Sequence, residues 1–409
     1  MSIKQKIIDY TKENSVPSRA IRYAIKIYGQ GWRYFYCLGL KHKPLKQNRI
    51  VFMSHKGKQY SCNPQYICEY LMKQYPGRFE MIWAFKEPEQ FQYLKQRGIH
   101  VVTYNSTEHI RAMMTAQVIV TNVDTFVYLP HRKGQMVLDT WHGGGSYKTC
   151  GFMNPQNLDK LRKRLRFERL YSRITLYVSS SRAFSEQTIR KSRHHKGEIL
   201  EVGMPRNDML ICQDRPDLDR KVKDYFGLTA EQKIALYAPT FRSEKENDNF
   251  IKPDLMAVKH ALEDRFGGDW CVLFRQHHFY DEDTKDVKSA TNYPDMQELL
   301  YVSEVLITDY SSSIWDMSLM YKPVFLYCPD LQRYQDERSF YMPIEQWPFI
   351  LCHDQAELEA NIRDFDQEKY SEDVDEHHRI LGSCESGHAT EHICKRIVQL
   401  CGNSQDEIE

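Results

Sequence analysis

The sequence lacks several features that define large classes of protein. No apolar run reaches about 18 residues, which argues against a membrane-spanning helix. No apolar segment follows the first residues, so we expect no secretory signal peptide. The 11 cysteines form no C-x-x-C pair, which argues against disulfides and a zinc site. We therefore expect the scattered Cys37, Cys150, Cys271 and Cys328 to be reduced core thiols of a cytosolic protein.

An excess of charge of one sign is also missing. The 56 Lys and Arg residues balance 55 Asp and Glu residues, so the net charge is +1 and indicates no class of partner. What is present is an ordinary globular composition, with 41% hydrophobic and 27% charged residues, which excludes wholesale disorder. At about 100–200 residues per domain, the 409 residues predict two or three domains.

Charge is nevertheless uneven along the chain. Residues 1–49 carry eleven basic side chains against only Asp9 and Glu13. Aromatic residues lie between them, namely Tyr23, Tyr28, Trp32, Tyr34, Phe35 and Tyr36. Anionic headgroups attract cations, and amphipathic rings sit at headgroup depth, so residues 1–48 are interpreted as a segment that associates with an anionic membrane surface. A solvated helix with one packed face explains the same pattern, and the sequence leaves both readings open.

A second basic stretch covers residues 158–173. Its apolar positions predict a helix with one apolar side, and its basic residues are Lys160, Arg162, Lys163, Arg164, Arg166, Arg169 and Arg173. Nucleic acid can bind such a helix, but no recognised nucleic-acid motif accompanies it. We therefore expect no nucleic-acid partner.

Predicted strands and helices alternate through the body of the chain. The strands are predicted at 49–53, 79–85, 100–103, 118–121, 136–141, 174–179, 198–202, 233–237, 270–275, 305–308 and 323–327. Such alternation predicts an α/β fold, with mostly parallel sheets covered by helices on both faces. The series restarts after a segment with turn chemistry at Val202–Asp208, which predicts two doubly wound halves with a ligand cleft between them.

The first candidate motif follows the predicted strand at 136–141. His142 stands at the strand end and three glycines come after it. Such a histidine can face a cleft and take a proton from an attacking hydroxyl. A structural histidine followed by a simple turn is the competing interpretation.

Two further motifs follow strands of the second half. The first ends at Thr240 and Arg242, and Arg242 is a candidate for binding a phosphate or the acceptor. The second is Arg275-Gln276-His277, in which Arg275 and His277 point the same way on an extended backbone. Cations so placed suit a pyrophosphate, whose leaving phosphate gains charge. Adjacent histidines also suggest a metal, but their side chains point apart and no carboxylate cluster accompanies them.

The fourth motif runs from Val305 to Asp316. A strand ends at Asp309, and Ser311 and Ser312 then open a helix. Free N–H groups and hydroxyls at a helix start make an anion site. A capped helix without a ligand has the same chemistry, so this motif alone does not decide.

Together the motifs resemble those of the CDP-glycerol glycerophosphotransferase family, the primases and polymerases of teichoic acids and related capsule polymers. The matching segments occur in family order: W-H-G at Trp141–Gly143, G-x-P-R-N-D at Gly203–Asp208, A-P-T-F-R at Ala238–Arg242, R-x-H at Arg275–His277, I-T-D-Y-S-S at Ile307–Ser312 with Asp316, and E-R-x-x-Y at Glu337–Tyr341. The resemblance implies two Rossmann-like domains in the glycosyltransferase-B arrangement. We expect an acceptor domain at 49–203, a CDP-donor domain at 204–401 and a polar tail at 402–409.

The resemblance also implies a reaction, in which an acceptor hydroxyl attacks the β-phosphorus of CDP-glycerol and CMP leaves. His142 then corresponds to the base, and His277 to the residue that stabilises the pyrophosphate or the leaving CMP. Donor and phosphate contacts are expected from Arg275, Asp309, Ser311, Ser312, Asp316 and Arg338. Further candidates for acceptor or phosphate contacts are Gly143, Gly144, Lys148, Arg206, Thr240 and Arg242. No cofactor is assigned beyond the donor substrate CDP-glycerol, and the need for a divalent metal is left open.

The expected acceptor is a lipid-linked polymer, and the expected location is the cytoplasmic face of the bacterial membrane, with peripheral attachment. Two alternatives of the same architecture are a transferase that uses CDP-ribitol and a glycosyltransferase that uses a nucleotide sugar. A third alternative is a non-catalytic scaffold bound to the membrane. The sequence does not distinguish primase from polymerase and leaves the oligomeric state open.

Overall fold

The computed structural model describes residues 16–124, 126–154, 161–213, 215–240, 251–275 and 284–402. These residues form two parallel sheets, each covered by helices. The seven-stranded sheet with its helices is called the first lobe, and the six-stranded sheet with its helices the second lobe. The predicted fold class, two Rossmann-like doubly wound sheets facing a cleft, is confirmed.

The first lobe has the strand order β3-β2-β1-β4-β5-β6-β7. Its strands are β1 Lys46–Met53, β2 Glu80–Phe85, β3 His100–Thr103, β4 Ala116–Thr121, β5 Met136–Asp139, β6 Leu176–Ser179 and β7 Glu198–Glu201. All neighbouring strands pair in parallel. The order reverses between β1 and β4, so a crevice opens beyond the carboxyl ends of these two strands.

The second lobe repeats this arrangement with the order β10-β9-β8-β11-β12-β13. Its strands are β8 Lys233–Tyr237, β9 Trp270–Phe274, β10 Val287–Ser289, β11 Val305–Thr308, β12 Val324–Tyr327 and β13 Ile350–Cys352. Strands such as β11 are buried along their whole length, because helices cover both faces of a parallel sheet. The order reverses between β8 and β11, which places a second crevice at their carboxyl ends.

Helices of varied length connect the strands. The α-helices are α1 Val16–Leu40, α2 Cys62–Gln74, α3 Thr107–Thr115, α4 Leu161–Tyr171, α5 Asp208–Cys212, α6 Leu218–Phe226, α7 Leu255–Phe266, α8 Met296–Val302, α9 Ser313–Ser318, α10 Leu331–Glu337, α11 Gln355–Arg363, α12 Gln367–Leu381 and α13 Ala389–Cys401. A 3₁₀ helix covers Pro88–Arg97 and a π-helical segment covers Phe184–Lys191. None of the helices in the described part of the chain combines the length and apolarity needed to cross a bilayer.

The last helix ties the two lobes together. Although α13 follows the second sheet in sequence, its Ile393 and Ile397 are buried in the core of the first lobe. The carboxylate of Asp208, at the junction of the lobes, accepts hydrogen bonds from the backbone N–H groups of Ala389 (2.9 Å) and Thr390 (2.7 Å). This cap satisfies orphan donors at the helix start and fixes where the chain returns to the first lobe.

Candidate active site

A cleft of about 410 Å³ lies where the carboxyl ends of strands from both sheets meet. Its walls are formed by His55, Gln59, Ser61, Cys62, His142, Arg206, Ala238, Pro239, Arg275, Pro294, Asp295, Met296, Gln297, Ser311, Ser312, Ser313 and Asp316. A larger hollow of about 760 Å³ lies elsewhere in the second lobe, around Trp347 and Tyr370, and contains none of the predicted site residues. The interlobe cleft is therefore the candidate active site.

His142 is placed by a short turn after β5. The preceding Trp141 adopts a positive φ of 54°, and its backbone N–H donates to Asp139 Oδ1 at 2.8 Å. His142 Nδ1 lies 2.8 Å from the carbonyl oxygen of Asn122. Because a carbonyl only accepts, Nδ1 carries the proton and the neutral ring leaves Nε2 able to accept one. Burial lowers the pKa of His142 to about 3, against the hydrogen bond to Asn122, so the imidazole is neutral at physiological pH.

The glycines after His142 allow a close approach between the lobes. A Cβ on Gly143 would stand 2.7 Å from Ser312 Oγ, and one on Gly144 only 2.0 Å from Trp315 Cδ1. Any larger residue would therefore displace this loop from α9 or force the tryptophan to move. The glycine run therefore lies against the second lobe, with Gly143 beside Ser312.

Arg206 connects His142 to the second lobe. Its Nη1 donates to the carbonyl oxygen of His142 at 2.8 Å, and its Nη2 lies 2.6 Å from Asp316 Oδ2. Gln297 Nε2 also donates to Asp316 Oδ2, at 3.0 Å. Arg206 Nε and Asp316 Oδ1 are buried atoms without hydrogen-bond partners among the described residues. The pair holds the two walls of the cleft together.

Arg275 stands at the end of β9, where its backbone N–H donates to the carbonyl oxygen of Tyr237 at 2.8 Å. Within the described residues its buried Nη1 has no hydrogen-bond partner. Burial lowers the pKa of Arg275, and the nearby Asp295 carboxylate opposes that shift. The half-buried Arg275 lines the cleft, and a guanidinium in that place is suited to a phosphate oxygen.

The serines of the fourth motif line the cleft, but Asp309 does not. The Ser313 backbone N–H and hydroxyl donate to Ser311 Oγ at 3.3 and 2.9 Å. Asp309 is buried, and its Oδ1 accepts hydrogen bonds from the N–H (2.8 Å) and hydroxyl (2.6 Å) of Thr240. Asp309 and Thr240 therefore join the ends of β11 and β8 behind the cleft.

Among the predicted residues that the structure describes, Lys148 and Arg338 are not part of the lining of the cleft. Lys148 forms an antiparallel bridge with Phe340, which joins the loop after the glycines to the segment after α10. Arg338 is exposed at the end of α10, with its guanidinium 6.0 Å from the ring centroid of Tyr334. His277 and Arg242 lie outside the described residues, so their roles stay predictions.

Sequence reasoning missed His55 and Asn122. His55 follows β1 and lies 5.7 Å from His142 between ring centroids, and Asn122 follows β4 and contacts both histidines. A signal was present, since Asn122 directly follows β4, His55 comes just after Ser54 at the end of β1, and these two strands flank the point where the strand order reverses.

Comparison with known proteins shows the family to which the chain is related. Residues 35–399 match the family model of CDP-glycerol:poly(glycerophosphate) glycerophosphotransferase. The chain is 31% identical to a teichoic acid poly(glycerol phosphate) polymerase of Staphylococcus epidermidis, over 88% of this chain and 52% of the relative. It is 29% identical to a teichoic acid glycerol-phosphate transferase of Staphylococcus aureus, over 86% of this chain and 93% of the relative.

A solved structure of the wall teichoic acid polymerase TagF is similar over almost the whole chain. The TM-score is 0.77 at 26% identity, and the match covers 98% of this chain and 99% of that chain. The chain spans about half the length of the Staphylococcus epidermidis polymerase, which is therefore a longer protein than the part matched here.

Proposed function

Because the chain belongs to the CDP-glycerol:poly(glycerophosphate) glycerophosphotransferase family, we propose that it transfers glycerol phosphate from CDP-glycerol to a hydroxyl of a membrane-linked acceptor. The acceptor is a teichoic-acid-like or capsule polymer, and CMP is released. The observation that carries this proposal is the pairing of two groups in one cleft. The first lobe supplies a neutral imidazole with an unprotonated Nε2, and the second lobe supplies the guanidinium of Arg275.

The reaction needs a base at one side of the phosphate and positive charge at the other. The acceptor oxygen attacks the β-phosphorus, and its proton passes to His142 Nε2. The bond from this phosphorus to the oxygen shared with CMP breaks, and the electron pair leaves with CMP. Arg275 stabilises the charge on the phosphate oxygens, and Ser311 and Ser312 lie on the same wall. Phosphoryl transfer depends mainly on positioning and charge stabilisation, which this arrangement supplies.

The proposal is tested by incubating the purified chain with CDP-glycerol and an acceptor that ends in glycerol phosphate. We expect release of CMP together with growth of the acceptor by whole glycerol phosphate units in the mass spectrum. CDP-ribitol and a panel of nucleotide sugars are run in parallel, with and without a metal chelator. Exclusive use of one of those donors, or no product with any of them, would contradict the proposal.

We also propose that α1 and α4 place the protein on an anionic membrane surface. Tyr28 and Phe35 on α1 are 77% and 72% exposed, and Leu161 on α4 is 71% exposed. The two helices adjoin, because the guanidinium of Arg169 lies 5.1 Å from the ring centroid of Tyr34. Exposed apolar side chains among basic ones favour a membrane–water interface.

The proposed contact with the membrane surface is tested by replacing two exposed basic residues of α4 with neutral ones. Each basic residue near an anionic surface contributes about 1 kcal/mol, so Arg164→Ser with Arg166→Ser should weaken binding to phosphatidylserine vesicles about 30-fold. Cosedimentation checks the result, and binding should also fall with added salt. The control changes two exposed lysines elsewhere, Lys95→Ser with Lys285→Ser. Equal binding by both double variants would contradict the proposal.

A further inference from the structure

His55 occupies the point where the strand order of the first sheet reverses, the usual place for a ligand in a doubly wound sheet. It directly follows Ser54 at the end of β1, and both His55 and Lys56 adopt positive φ angles, of 45° and 58°. The Asn122 side chain holds this turn, because its Oδ1 accepts the His55 backbone N–H at 2.8 Å. A left-handed backbone at non-glycine residues costs free energy, and here that conformation directs an imidazole into the cleft.

The orientation of the His55 ring follows from the same asparagine. Since Asn122 Oδ1 accepts from the backbone, the other amide atom is Nδ2, which lies 3.3 Å from His55 Nε2. An amide nitrogen only donates, so Nε2 accepts and the ring N–H is that of Nδ1. The backbone carbonyl of Asn122 meanwhile fixes the ring of His142. The buried Asn122 thus fixes the orientation of both imidazole rings, whose centroids lie 5.7 Å apart.

The two walls of the cleft differ in charge. The first-lobe wall contains His55, Gln59, Ser61, Cys62 and His142, and the guanidinium of Arg206, which donates to the His142 carbonyl oxygen, is paired with Asp316 of the facing wall. The facing wall carries Arg275, Asp295 and Asp316. Phosphate oxygens are matched by the wall with a guanidinium. Amide, hydroxyl and imidazole groups match the hydroxyls of a polyol.

We propose that His55 is a substrate-contacting residue that recognises the terminal polyol of the acceptor, beside the hydroxyl that His142 deprotonates. This inference rests on the proposed transfer reaction and adds the group that selects the acceptor. The attacking hydroxyl must reach His142 Nε2, and the neighbouring hydroxyls of the same polyol then come within reach of the His55 ring. The donor phosphates lie toward Arg275, so His55 discriminates between acceptors and contributes little to donor binding.

The test compares His55→Phe with the matched control His100→Phe, an exposed histidine at the start of β3. In His55→Phe we expect the KM for a glycerol-phosphate-terminated acceptor to rise about tenfold, the loss expected for one neutral hydrogen bond. The KM for CDP-glycerol should change less than twofold, and the control should match the unmodified chain. His55→Gln, which retains polar atoms, should recover part of the acceptor affinity.

The outcomes separate this inference from the transfer reaction itself. An unmodified chain that releases no CMP from CDP-glycerol would defeat the proposed function. An active unmodified chain whose His55→Phe variant keeps its acceptor KM, or loses donor affinity instead, would defeat the role of His55 alone. If His55→Phe does not fold, as judged by thermal melting, His55→Gln decides: a shifted ratio of rates on glycerol-ended and ribitol-ended acceptors supports the role, and an unchanged ratio overturns it.

Discussion

Replacing His142 with Asn is expected to lower kcat for glycerol phosphate transfer by about 10³-fold or more, within the range contributed by a general base. His142 Nε2 is the atom that the tautomer leaves ready for a proton, because Nδ1 donates to Asn122. The shorter amide of Asn cannot accept a proton at neutral pH. Donor binding depends on the opposite wall, so the KM for CDP-glycerol should stay within about threefold. Steady-state release of CMP measures both constants.

The pH dependence of the same variant provides an independent check. Burial lowers the pKa of His142 to about 3, whereas an unfolded histidine titrates near 6.5. Below about pH 6.5 the unfolded chain binds a proton that the folded chain does not, so this residue's contribution to stability is present above that pH and is lost as the pH falls toward 3. His142→Asn should therefore lose less stability on acidification than the unmodified chain.

Chemical denaturation at pH 7 and pH 4.5 tests this difference. A matched variant, His100→Asn, changes an exposed histidine and should follow the unmodified chain at both pH values. If His142→Asn retained its turnover, or became more acid-sensitive than the parent, the role given to this imidazole would be wrong.

Much of the fold follows from the local pattern of the sequence. Strands with four or more buried residues, such as β8 and β11, lie where their apolar runs predict them. The strands missed, β10 and β13, have only three residues each, too few to show a period. The connecting segment Pro88–Arg97 is a 3₁₀ helix with non-helical φ and ψ at Phe91, a departure from the α-helix that no local pattern specifies.

The candidate site was partly predictable, because the local pattern of the sequence also marks some of its residues. A polar residue after a buried strand is visible in the sequence, and His142 and Ser311 both line the cleft. Which of these residues line the cleft depends on contacts between distant segments, such as the hydrogen bond from the Thr240 hydroxyl to Asp309. His55 follows β1 and His142 follows β5, and both strands pair with β4, so the two histidines meet only through strand pairings that no local pattern specifies.

Arg275→Met is the second substitution with a large expected effect, and it should separate activity from stability. The guanidinium lies on the cleft with an unused Nη1 donor among the described residues. Hydrogen bonds to charged groups contribute about 1.5–3 kcal/mol each, so the loss of two to the donor phosphates should lower kcat/KM for CDP-glycerol by about 10²–10⁴-fold. The unfolding free energy should stay constant or rise by about 1 kcal/mol, because a poorly compensated buried charge is removed.

Arg265→Met is the matched control for this separation. Arg265 lies in the same lobe, and its Nε and Nη2 donate to the carbonyl oxygen of Phe365 at 2.9 and 2.7 Å. Its loss should lower the unfolding free energy by about 1–2 kcal/mol and leave turnover intact.

Arg275→Lys should fall between Arg275→Met and the unmodified chain in activity, since a point charge replaces a fork of donors. Donor kinetics and urea denaturation check both variants. If Arg275→Met lost as much stability as Arg265→Met while keeping its affinity for CDP-glycerol, Arg275 would be a structural residue, and the charged wall of the cleft would lack its principal phosphate contact.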